Sequence, residues 1–215
     1  MVGSRVTGSR RPGFVVTVLM LFALVVLMLA VALPAQASTV VKAGNTQMTV
    51  KANVVTHLQT LHVSIAANAP MTYKPQWASG NLQWWYQAPM SNDGTVYNIT
   101  TKQGLFYHWG WFTWVEASGV KHKTVKWQGL RVIASGASSY SLSAAVGNAP
   151  SVRMIVASAS NTPKITKTGK AIKIDGVQFK LTTAGAANLL ATLGETISTS
   201  VILFDTDLLL SLIHI

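Results

Sequence analysis

The chain has 215 residues, no cysteine and a formal net charge of +11, from 17 basic and 6 acidic side chains. The lack of thiols excludes a disulfide framework, a lipoprotein anchor, thiolate metal sites and a cysteine nucleophile. Charged residues are only 11% of the chain, and small and β-branched residues abound, which fits an extracellular β fold and not a disordered tail.

Residues 1–37 have the layout of a secretory signal peptide. Arg5, Arg10 and Arg11 precede an apolar run from Phe14 to Leu33, and Pro34-Ala35-Gln36-Ala37 supplies an A-x-A cleavage site. Cleavage leaves Ser38 as the mature N-terminus. The run is also long enough to span a bilayer, so an uncleaved transmembrane anchor is the alternative. Removing the leader arginines leaves 14 basic against 6 acidic residues, about +8. Outside a bacterium such a charge attracts anionic lipids and wall polymers. Nucleic acid is not an expected partner of an exported protein.

Residues 38–209 read as a single β-rich extracellular domain. Val40-Val41 and Met48-Thr49-Val50 are short strands around Ala43-Gly44-Asn45. Asn53 caps a short helix over Val54–Leu61, and His62–Ala66 is a strand. Residues 68–94 hold Pro70, Pro75, Pro89, Gly80 and Asn92-Asp93-Gly94, which reads as loop. Thr95–Val115 is an aromatic strand region broken by Gly104. Ser118-Gly119 joins Phe112–Glu116 to Val120–Trp127 as a hairpin. Leu130–Ala134, Tyr140–Val146 and Val152–Ala157 are further strands.

Lys170–Leu181 alternates cleanly, with Asp175-Gly176 between two apolar-polar runs. That pattern predicts a hairpin turn; one long strand with a glycine bulge is the alternative. Thr182 or Thr183 caps a helix that runs to Leu193 and stops at Gly194. Ile197–Phe204 returns as a strand. About ten short strands and two short helices make the expected fold mainly β, an antiparallel sandwich or barrel-like domain. Leu210–Ile215 reads as non-native adapter read-through, because it back-translates to a transposase end sequence; a genuine apolar tail is the alternative. Neither reading makes His214 functional.

All seven tryptophans lie between Trp77 and Trp127. Trp84-Trp85-Tyr86 is the first candidate ligand-binding segment. Adjacent strand residues point to opposite faces, so one of Trp84 and Trp85 is expected to be exposed, where an aromatic ring stacks on sugars. Trp109 and Trp111 share a face, and the core is their expected place. Lys121, Lys123, Lys126 and Arg131 form the densest basic segment, a dock for anionic polymers or a solvated edge strand. His108 with Tyr107 is the candidate pair for haem, although neighbouring strand residues point apart. Asp93 and Asp175 read as turn residues. No hydrolase or zinc-protease motif stands in the right context, so neither catalytic nor metal-ligating residues are assigned and an enzyme is not expected.

Two segments resemble the HtaA haem-uptake domains of Gram-positive bacteria. Gln103-Gly104-Leu105-Phe106-Tyr107-His108-Trp109-Gly110 is similar to that family's glycine–histidine–glycine strand. Gly176-Val177-Gln178-Phe179-Lys180-Leu181-Thr182-Thr183-Ala184-Gly185-Ala186-Ala187 is similar to its strand entering an L-T-x-x-G-A-A helix. The similarity covers about Asn53–Phe204. It implies a β-rich domain with a small helix, and haem as a ligand with His108 at the family's histidine. The family's tyrosine, from a W-G-x-x-x-S-F-x-x-Y segment, has no counterpart here.

The sequence therefore points to an exported, secreted or cell-surface binding or structural module for glycan or anionic polymers of the envelope, with no cofactor. An HtaA-like haem-binding domain is the alternative, and a secreted hydrolase the third reading. Membrane contact is expected only through an uncleaved N-terminal segment.

Overall fold

The computed structural model describes residues 39–147 and 152–213. Residues 1–38, which include the expected leader, residues 148–151 and residues 214–215, which include His214, lie outside them. Among the described residues there are thirteen strands and two helices. None of these helices is long and apolar enough to cross a membrane.

The strands are β1 (Thr39–Val50), β2 (Val63–Asn68), β3 (Thr72–Ala78), β4 (Asn81–Pro89), β5 (Val96–Asn98), β6 (Gln103–Tyr107) and β7 (Trp111–Glu116). They continue as β8 (Lys123–Ser135), β9 (Tyr140–Val146), β10 (Val152–Ala159), β11 (Lys164–Thr168), β12 (Ala171–Leu181) and β13 (Ile202–Ile213). Helix α1 spans Ala52–Thr60 and α2 spans Thr183–Leu193. Every pairing is antiparallel. The order β1–β13–β12–β10–β9–β8–β6–β5 leads back to β1, so the sheet is nearly closed into a barrel. The closing link, β5 to β1, is only two residue pairs long. Strands β4 and β3 branch from β1, β7 and β2 from β8, and β11 from β12.

Alternation sets the inside. Along β1, Thr46, Met48 and Val50 are buried and Asn45, Gln47 and Thr49 are not. Phe112 of β7 stacks on Phe204 of β13 and meets Tyr86 of β4 edge-on. The Tyr86 hydroxyl donates to the Ile65 carbonyl at 2.7 Å, which ties β4 to β2 in the core. The tryptophans of the core are Trp84, Trp114 and Trp127. Trp109 is instead 53% exposed, because the chain leaves the sheet after β6, and Trp111 is partly exposed.

Several sequence expectations need correcting. Residues 68–94 are not all loop: β3 and β4 form a hairpin whose two-residue turn, Ser79-Gly80, has positive φ at both positions. Pro75 is tolerated because β3 pairs on one side only. Gly104 lies inside β6 rather than ending a strand; a Cβ there would sit 2.6 Å from the Val96 carbonyl oxygen. Helix α1 is capped by Lys51, with no side-chain cap bond, so Asn53 falls within the helix. The β7–β8 hairpin forms, but β8 starts at Lys123, and β13 starts at Ile202. Strand β13 continues through Leu210 and Ser211, with Leu210 buried.

The hairpin expected at Asp175-Gly176 is replaced by its alternative, a bulge in one long strand. Strand β12 pairs with β11 before the bulge and β10 after it, and with β13 along both halves. The hairpin turn falls earlier, at Gly169 between β11 and β12. Side chains replace the ladder partners at the bulge. The Gly176 N–H donates to Asp207 Oδ1 at 2.9 Å, and Asn161 Nδ2 donates to the Gly176 carbonyl at 2.7 Å. Gly176 has φ +72 with open space around it. Gly176→Val is therefore expected to lower stability through backbone strain alone, by about 1–2 kcal/mol. Chemical denaturation tests this; an unchanged midpoint would mean that the bulge relaxes at no cost.

Candidate functional site

The outward positions of β3, β4, β1, β13 and β12 line up in rows across one face of the sheet. One row runs Thr72, Gln87, Gln47, Asp207 and then the Asp175-Gly176 bulge. The next runs Lys74, Trp85, Thr49, Asp205 and Gln178. Gln47, Thr49, Lys51, Gln83, Asp205 and Asp207, with the bulge, line a polar cavity of about 350 Å³. Trp85 stands directly opposite Thr49, on the same face and between Gln83 and Gln87, and is partly exposed.

Three of the chain's six acids meet here, and lysines neutralise them. Lys51 pairs with Asp205 at 3.0 Å, while Lys173 reaches Asp175 at 2.9 Å and Asp207 at 3.4 Å. The Lys173 ammonium thus bridges the carboxyl groups of Asp175 and Asp207, and each carboxyl acts on the other. Burial, then the contact with Asp175, raises the Asp207 carboxyl. The Lys173 hydrogen bond, then Asp207, holds Asp175 below the usual carboxylate range. The pair offers several carboxyl acceptors to a ligand. Gln47, Gln83 and Thr49 make no side-chain hydrogen bond within the described residues. A charge-balanced face with free amides and a hydroxyl beside an indole can stack on and hydrogen-bond a polyhydroxylated ring.

The sequence-based candidates are dispersed. Trp84 and Tyr86 point inward and are buried, and Trp85 is the outward member of the pair. Lys121 is exposed in the β7–β8 loop. Lys123 is tied into the fold: its ammonium donates to the Leu193 carbonyl at the end of α2 (2.9 Å) and lies 3.7 Å from buried Glu116. The Arg131 guanidinium sits 4.6 Å over the Tyr107 ring. Lys126 faces the opposite side of the sheet position from buried Val125 and Trp127 and is partly exposed. Lys121, Lys123, Lys126 and Arg131 thus have four separate surroundings.

His108 is 5% exposed, and both ring nitrogens are engaged. Nε2 lies 2.6 Å from the Thr46 hydroxyl and Nδ1 lies 3.4 Å from the Leu130 carbonyl. The carbonyl can only accept, so Nδ1 carries the proton and Nε2 accepts from Thr46. Burial pushes the imidazole down to about 4, so it is neutral near pH 7. An iron ligand needs the lone pair that Thr46 already occupies. The residues present thus do not fit haem ligation by His108, and Tyr107 is held under Arg131. No group of three or more His, Asp or Glu side chains fit to hold a metal is found among the described residues.

The residues of the polar face were missed in the sequence. The available signal was the period-two polar set Asn45, Gln47, Thr49 and Lys51, echoed by Asp205 and Asp207. Nothing local showed that the two sets pair.

A nearly closed antiparallel β barrel with branch strands, a bulged long strand and two short helices defines the structural class. It is the fold of the HtaA domains. The chain is similar to the C-terminal domain of HtaA from Corynebacterium glutamicum, at TM-score 0.53 and 14% identity, over 79% of this chain and 99% of that one. It is similar to the N-terminal domain of the same protein at TM-score 0.51 and 15% identity, over 80% and 99%. No protein-family model matches the chain, and neither does any curated protein. At these identities the likeness is one of fold.

Proposed function

We propose that the protein is an exported envelope module that binds a glycan on the polar face around Trp85, and that it does not hold haem on His108. Export rests on the leader-like residues 1–37 and accords with the HtaA-like fold. The observation that carries the glycan reading is Trp85 beside a polar cavity of about 350 Å³ with free amides at Gln47 and Gln83. Indole gives a stacking surface, and planar amides and carboxyls match ring hydroxyls. A polyanion suits this face poorly, because Lys51 and Lys173 are already spent on aspartates.

Titration of the purified protein with envelope glycans tests this, read by calorimetry. Trp85→Ala is expected to weaken glycan binding about tenfold, as the loss of one aromatic stack. Its melting temperature should change little, because Trp85 is not in the core. Binding that is unaffected by Trp85→Ala, or no binding to any glycan, would overturn the reading.

A further inference from the structure

The polar cavity has a neighbour on the same face. A second cavity of about 340 Å³ adjoins it across Lys173, between β11, β12, β13 and β1. Its lining is mainly carbon, from Ala171, Ile172 and Leu209, with the Thr166 and Thr168 hydroxyls and Asn45 at polar points. Lys173 lines this cavity too, yet its ammonium is drawn to Asp175 and Asp207, which line the polar one. The lysine is thus a boundary post: its stem faces the carbon-lined side and its charge belongs to the polar side.

We propose that the two cavities take the two halves of one amphiphilic ligand, a glycan that carries an alkyl or acyl substituent. This rests on the glycan reading and specifies its ligand class. The sugar lies against Trp85, Gln83 and the Asp175–Asp207 pair. The apolar substituent crosses Lys173 and covers Ala171 and Leu209. A free sugar leaves the carbon-lined cavity in contact with water, and a simple fatty acid leaves the Gln47 and Gln83 amides without partners. One ligand with both parts satisfies both cavities.

Leu210 and Ser211 also line the second cavity but belong to the stretch read as non-native, so the test is placed on β11 and β12. Methyl and octyl glycosides of glucose, galactose, mannose and N-acetylglucosamine serve as probes, below the concentrations at which the octyl compounds form micelles. For the preferred sugar, the octyl glycoside should bind about tenfold or more tightly than the methyl glycoside, as burial of a few methylenes implies. Ala171→Trp fills the second cavity from an exposed position and should remove that increment while leaving methyl glycoside binding unchanged. Thr168→Trp, also exposed, is the second variant, and melting curves confirm that each is folded. Equal affinity for methyl and octyl glycosides, or an increment that survives in both folded variants, would overturn the amphiphile and leave the glycan reading standing. Failure of every glycoside and free glycan to bind would overturn both.

Discussion

Gly185→Ala is expected to cost about 3 kcal/mol or more and to lower the melting temperature by roughly 6–12 °C. Gly185 lies in the first turn of α2, where the helix meets β10. A Cβ there would run into the Val156 carbonyl oxygen, with the Val156 carbonyl carbon and Cα next in line. Backbone stands on both sides of the clash, so no side chain can swing away to relieve it. The same place holds the helix start. The Thr182 hydroxyl accepts from the Gly185 N–H at 3.0 Å and donates to the Ile155 carbonyl at 2.7 Å, and the Thr182 N–H donates to the Val156 carbonyl at 3.0 Å. Moving the helix outward to admit a methyl strains the cap as well, which alone is worth about 0.5–2 kcal/mol. Ala191→Gly, at an exposed position of the same helix, should cost only about 1 kcal/mol from propensity. If Gly185→Ala melts no earlier than Ala191→Gly, α2 is not seated on β10 as described.

That glycine also explains what was legible. The run from Gly176 to Ala187 shows a strand, a threonine cap and a small residue at the docking point, and the structure uses each. Thr182 caps, Gly185 permits contact, and Gly194 ends the helix with φ +83. These are local devices, written within a few residues. The alternation of β12 was equally clear, but its central Asp-Gly fits both a turn and a bulge. The choice depends on β13, which supplies Asp207 from 31 residues away to receive the Gly176 N–H. Sequence near the bulge cannot contain that information.

The polar face was hidden for the same reason, on a larger scale. Gln47 and Thr49 come from the first strand and Asp205 and Asp207 from the last, and only the β1–β13 register puts them side by side. The β3–β4 hairpin was obscured by Pro75 and Pro89, which are unfavourable within a sheet but acceptable on a one-sided strand and at a strand's last residue. The Trp84-Trp85 pair did carry usable information. Strict alternation required one ring to face out, and burial of Trp84 against the core makes that ring Trp85. What the pair lacked was any sign of its neighbours on that face.

Lowering the pH from 6.5 to about 4 is expected to remove up to about 3 kcal/mol of stability through His108 alone. The imidazole is held neutral in the fold, with its pKa lowered from 6.5 to about 4 by burial, against smaller opposing effects of the Leu130 and Phe106 backbones. In this window the unfolded chain binds a proton at that histidine and the folded chain does not. Stability therefore falls as the pH drops through 6.5, and the loss is complete below about 4. His108→Gln cannot titrate, yet its amide can still meet Thr46 and the Leu130 carbonyl. Denaturation of this variant and the wild type at several pH values is the test. The difference between the two proteins isolates His108, because the aspartates titrate in both. Asp207, with its raised carboxyl, works in the opposite direction: the fold binds its proton more readily than the unfolded chain does. Equal pH slopes for the two proteins would show that His108 is accessible to protons in the fold. The same pair of proteins addresses haem. With Nε2 occupied by Thr46, added haem should give no stoichiometric Soret band in either. A band in the wild type that His108→Gln abolishes, without a change in melting at pH 7, would mean that the Thr46 contact opens and the imidazole serves iron.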